Sequence, residues 1–133
     1  MKTKFILIAL LLVTAMVLIA QTFSQTTVGP HGGTVQQVEK YQIEMKNPFP
    51  NFYAYLLDNK SKPISNKSIS CNVRFFFPDN TSMDAELKQF GDDGFSLESA
   101  TAKFYACRIT FNVFGKNVSA RFESESAIVQ NNK

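Results

Sequence analysis

One histidine, two cysteines and no tryptophan in a chain of 133 residues leave little from which to build a catalytic centre. A Ser-His-Asp triad would have to recruit His31 from a glycine-rich segment near the N-terminus, and no Gly-x-Ser-x-Gly elbow is present to hold the serine. There is no Cys-x-x-Cys pair to tune a thiolate and no glycine motif of the phosphate-cradling kind. Charge of one sign is scarce too. From residue 25 onward 12 Lys and Arg stand against 11 Asp and Glu, because Lys2 and Lys4 belong to the leading segment. A domain at a formal +1 is not expected to grip nucleic acid or an anionic membrane. The inventory points to a protein that is not an enzyme.

Long apolar runs are absent except at the start. Met1–Lys4 carries two lysines, Phe5–Ala20 is apolar over sixteen residues apart from Thr14, and Gln21–Ser24 turns polar and small. This is the order of a secretory signal, and sixteen residues fall short of the roughly 20 that span a bilayer as a helix. The expected organisation is a signal peptide over 1–24, cut after Ser24 or after Ala20, and a flexible lead-in over 25–33. A β-sandwich over 34–123 and a polar tail over 124–133 follow. The protein is then periplasmic or secreted, with no membrane contact once the signal is removed.

What the mature chain does have is alternation. Tyr41, Ile43 and Met45 alternate with Gln42, Glu44 and Lys46; Ile69, Cys71, Val73, Phe75 and Phe77 alternate with Ser70, Asn72, Arg74 and Phe76. Met83, Ala85 and Leu87, then Tyr105 to Val113, then Val118, Ala120 and Phe122 repeat the pattern. A period of two gives each strand one core face and one wetter face, as in antiparallel sheets. Breakers at Asn47–Asn51, Asp58–Pro63, Pro78–Asn80, Gly91–Gly94 and Gly115–Asn117 recur at short intervals. Such spacing predicts one all-β domain, an antiparallel immunoglobulin-like sandwich of about seven strands.

Cys71 and Cys107 both fall on apolar strand faces, and an exported protein lives where disulfides persist. A bond between them would close a loop of 36 positions (107 − 71) and stabilise by roughly 3–4 kcal/mol. Two buried thiols are the alternative. His31, within Gly29-Pro30-His31-Gly32-Gly33, could approach a strand or a ligand closely because its glycine neighbours leave the backbone free. With a carboxylate such as Glu44 it supplies two metal ligands, against the four of a closed zinc site. Gly91-Asp92-Asp93-Gly94 lacks the spacing of a calcium loop and reads as a turn.

The order Pro30-His31-Gly32-Gly33-Thr34-Val35, Tyr41-Gln42-Ile43-Glu44, Tyr55-Leu56-Leu57-Asp58 with Lys62-Pro63-Ile64 after it, and Lys116-x-Val118-Ser119-Ala120-Arg121-Phe122 covers most of residues 30–122. In that order and spacing the chain resembles small exported bacterial proteins and adaptor segments associated with heavy-metal efflux of the resistance-nodulation-division type. The resemblance implies a periplasmic β-sandwich that handles zinc, copper or a related cation, bound weakly, as an accessory to an efflux adaptor or another envelope protein. His31 maps onto the histidine before the glycine pair, and Glu44 onto the strand glutamate. Gln42 stands where members often carry a second histidine, a departure at an expected ligand. The competing expectation is a metal-free interaction module that docks through Phe76 and Phe104, which the alternation puts on the wetter faces of their strands.

Overall fold

The computed structural model describes residues 27–98 and 103–123, and these contain ten β-strands and no helix. The strands are β1 (Thr27–Val28), β2 (Thr34–Val38), β3 (Tyr41–Lys46), β4 (Phe52–Asp58), β5 (Ile69–Phe76), β6 (Ser82–Glu86), β7 (Lys88–Phe90), β8 (Gly94–Leu97), β9 (Ala106–Val113) and β10 (Lys116–Glu123). They form two antiparallel sheets, one ordered β1-β2-β3-β4-β8-β7 and one ordered β10-β9-β5-β6. The all-β class and the two-sheet arrangement follow the alternation. The strand count exceeds seven because β1, β7 and β8 are too short to leave a periodic signature and because Thr34–Val38, with two glutamines, is only partly buried. The proposed signal segment lies outside the described residues, as does the 124–133 tail.

Inner faces of both sheets supply one core. β5 alternates buried and exposed residues from Ile69 to Phe75, and β10 does so from Val118 to Glu123. Burial of Cys71, Val73, Phe75, Ile109, Phe111 and Phe122 against Ile43, Phe52, Ala54, Leu56 and Phe95 joins the sheets. Each such large side chain contributes about 1.5–3 kcal/mol of transfer free energy. The chain crosses between sheets at Leu87, which separates β6 from β7; its side chain is buried and its N–H donates to the Cys71 carbonyl at 3.0 Å.

Three expectations are corrected here. Cys71 and Cys107 are free thiols, buried on the same inner face. The β5–β9 register pairs Cys71 with Phe111 and Cys107 with Phe75, so the two lie four pairs apart, about 13 Å along the sheet. A disulfide needs Cα atoms within about 7 Å. Alternation had placed both residues on one face without placing them at one level. Burial pushes the Cys107 thiol up to about 12 and raises that of Cys71 as well. The native protein is therefore expected to resist iodoacetamide even at pH 9, whereas unfolded, unreduced protein labels at both cysteines. Absence of labelling after unfolding would instead indicate a disulfide.

Of the two phenylalanines proposed for docking, Phe104 is buried, while Phe76 keeps the outer face of β5 and is partly exposed. Phe104 is 5 % exposed and packs tilted against Phe75, with ring centroids 4.8 Å apart, and edge-on to Phe52 at 6.2 Å. β9 begins only at Ala106, so the alternation extrapolated back to 104 does not apply. Phe76 is half-buried, with the Arg121 guanidinium 5.1 Å above its ring and Tyr105 beside it at 6.5 Å. The lead-in expected to be flexible is, from Thr27 onward, a strand and a fastened turn.

Candidate functional site

The outer face of the six-stranded sheet carries a row set by register: Val35 opposite Glu44, Glu44 opposite Tyr55, Tyr55 opposite Gly94. Glu44 has the strand parity opposite to Ile43 and Met45, so it points away from the core, yet it is fully buried. The cover is the turn between β1 and β2. That turn closes on itself through Gly29 N–H to the Gly33 carbonyl at 2.9 Å and Gly32 N–H to the Gly29 carbonyl at 3.0 Å. Gly32 adopts a φ of +81°, which an L side chain resists. A Cβ on Gly29 would meet the Glu44 carboxyl carbon at 2.3 Å, and one on Gly33 would meet the Met45 carbonyl at 2.4 Å. Both glycines are there for close approach.

Glu44 is bonded on every side. Its Oε2 accepts the N–H of Gly33 at 2.8 Å and the N–H of His31 at 2.9 Å, while its Oε1 lies 2.6 Å from Nδ1 of His31. On the far side of the ring, Nε2 lies 2.9 Å from Oδ2 of Asp93. Carboxylate oxygens only accept, so a ring carrying a proton on each nitrogen satisfies both contacts at once. The imidazole stacks on Tyr55 with centroids 3.6 Å apart and planes 8° from parallel. Gly94 makes room for the tyrosine, since a Cβ there would sit 2.7 Å from its ring. Burial, and then the charges of Asp93 and Glu44, raise the Tyr55 pKa, which keeps the phenol neutral beneath the ring.

Asp93 comes from the turn between β7 and β8, which Asn66 holds. The Asn66 side chain, 2 % exposed, donates to the carbonyls of Gly91 at 3.0 Å and Gly94 at 2.8 Å; its N–H donates to the Asp92 carbonyl at 3.0 Å. With both side-chain donors used and the group buried, the Asn-x-Ser sequence at Asn66 is closed to glycosylation in the folded protein. Thus three segments, β3, β4 and the β7–β8 turn, converge on one imidazole.

Sequence reasoning named His31 and Glu44, and the fold brings them together. It gave Glu44 the role of metal ligand, whereas the carboxylate is committed to His31 and two backbone N–H groups. Asp93 and Tyr55 were missed. The Gly91–Gly94 stretch is the expected turn, but only the sheet order carries Asp93 to a histidine 62 positions away. Gln42 lies two pairs along from Glu44, about 7 Å up the strand, and engages Gln37 and Ser61. Among the described residues no group of three or more His, Cys, Asp or Glu converges as a metal cage. Comparison of the chain with protein-family models, with curated proteins and with solved structures finds no match.

Proposed function

We propose that the protein is an exported, non-enzymatic, immunoglobulin-like β-sandwich that serves as an accessory in divalent-metal handling, with a partner such as an efflux adaptor or another envelope protein. The observation that carries the reading is the buried Glu44 carboxylate behind Nδ1 of His31. A metal-ligating histidine commonly donates its second N–H to such a carboxylate, which fixes the ring and leaves the other nitrogen for the cation. Zinc or copper(II) would be taken by Nε2 in exchange for its proton, with the partly exposed Asp93 carboxylate as second ligand and solvent or a partner for the rest. Two protein ligands give an open site with affinity on the order of micromolar or weaker.

Titration calorimetry with zinc and copper(II) tests this. Wild type should bind, His31→Ala should not, and Asp93→Asn should bind at least ten-fold more weakly. Gln42→His should change nothing, because position 42 faces Gln37 and Ser61. Binding that survives His31→Ala sinks the metal reading. A second reading then leads, favoured by the full satisfaction of both ring nitrogens: the cluster is a fastening for the β1–β2 turn, and the domain is a metal-free interaction module.

A further inference from the structure

Near-neutral total charge hides a segregation that the topology creates. The pairing of Val38 with Tyr41 and of Tyr41 with Asp58 puts the β2–β3 turn and the end of β4 at one end of the sandwich. Ser61, in the turn after β4, donates its hydroxyl to Gln42. The β9–β10 hairpin joins them from the other sheet, because Lys116 at its base reaches Glu39 at 2.7 Å. Ile69, at the start of β5, pairs with Val113 beside that hairpin, which brings Lys67 to the same end. Lys40, Lys60, Lys62, Lys67 and Lys116 therefore collect around these turns, all exposed, against Glu39, Asp58 and Asp92, the last held beside Lys67 by the Asn66 N–H on its carbonyl. The end carries +2, while the rest of the described chain, with six Lys and Arg against seven Asp and Glu, carries −1.

At the apex of this end stands Phe114, 85 % exposed. Lys116 pairs directly with Val113, so Phe114 and Gly115 alone form the hairpin turn, with φ of +51° and +85°. Positive φ at both positions is the geometry that favours Asn-Gly, and a bulky aromatic there is both strained and unpacked. Glu39 at +53° and Ser61 at +64° put two more non-glycine residues in this conformation at the same end. Backbone strain kept at an exposed site points toward function.

We propose that this end of the sandwich docks on the surface of an anionic lipid bilayer, with Phe114 entering the interface and the lysines against the headgroups. An exposed aromatic tip ringed by lysines matches both zones of such a surface, the apolar margin and the negative headgroup layer. Glu39 is matched by Lys116, and Asp58, kept ionised by the backbone N–H groups of Lys60 and Lys62, is outnumbered by the lysines of the same turn. The near-neutral total charge is a sum over the domain and does not describe how the charge is distributed.

The chain has no tryptophan, so Phe114→Trp introduces a single reporter at the apex. In the protein as exported, its emission should shift to the blue with vesicles of phosphatidylglycerol and phosphatidylcholine, and not with phosphatidylcholine alone. Each lysine neutralised among Lys40, Lys60, Lys62 and Lys67 should weaken vesicle binding roughly five-fold, and 0.5 M salt should nearly abolish it. Phe114→Asn should lose affinity while its Tm stays level or rises, because asparagine suits the turn. An emission spectrum unmoved by anionic vesicles overturns the proposal. So does a shift produced by polyglutamate and not by vesicles, which would mark an acidic protein as the occupant.

Discussion

Replacing Glu44 with alanine is expected to cost the fold about 3–5 kcal/mol, since loss of a fully buried carboxylate leaves three donors without their acceptor at ~1–3 kcal/mol each. The carboxylate is the common acceptor for the N–H groups of His31 and Gly33 and for Nδ1 of His31, and it is wholly shielded from solvent. Without it these donors are stranded beneath a turn whose close contact with the sheet rests on them. For a domain of about 100 residues the loss corresponds to a fall in Tm of roughly 15–25 °C. Asp93→Asn provides the contrast: its carboxylate is 31 % exposed, and its loss should cost about 1 kcal/mol or less. Thermal unfolding of the two variants beside wild type reads the difference. A Glu44→Ala protein within 1 kcal/mol of wild type would mean that the turn is held by something other than this carboxylate.

Phe75→Ala should be comparably severe, at about 3–5 kcal/mol. The ring is 1 % exposed and sits between Phe52, edge-on at 5.3 Å, and Phe104 at 4.8 Å, so truncation removes two aromatic contacts and opens a cavity between the sheets. Both neighbours are anchored on different strands or loops, which limits collapse into the space. Denaturant unfolding should show a lower midpoint with an unchanged slope. The same cluster explains why Phe104→Ala is a core mutation and not the loss of a partner contact. If Phe104→Ala leaves stability untouched, the packing described for this corner is wrong.

Which residues face the core was legible wherever a strand ran long enough for its period to show. Ile69 to Phe75, Ile109 to Val113 and Val118 to Phe122 bury the residues that alternation selects. The method failed at strand ends. Phe104 and Tyr105 precede β9, and a period carried past the point where the backbone leaves the pleat assigns faces that do not exist. It failed at Glu44 for another reason: parity placed this side chain correctly on the outer face, but a loop covers that face.

Local sequence alone determined the class of fold, the core positions of the long strands and the turn at Gly91–Gly94, because each depends on residues within a few positions of one another. Tertiary structure decided everything that depends on which strands are neighbours. The offset of four pairs that keeps Cys71 from Cys107 is a matter of register, which no single strand contains. Asp93 reaches His31 only because β8 pairs with β4 and Asn66 holds the turn. Five lysines spread from position 40 to 116 gather at one end because three turns and the start of β5 end at the same level. Charge and chemistry are carried by single residues, but their convergence is a property of the sheets.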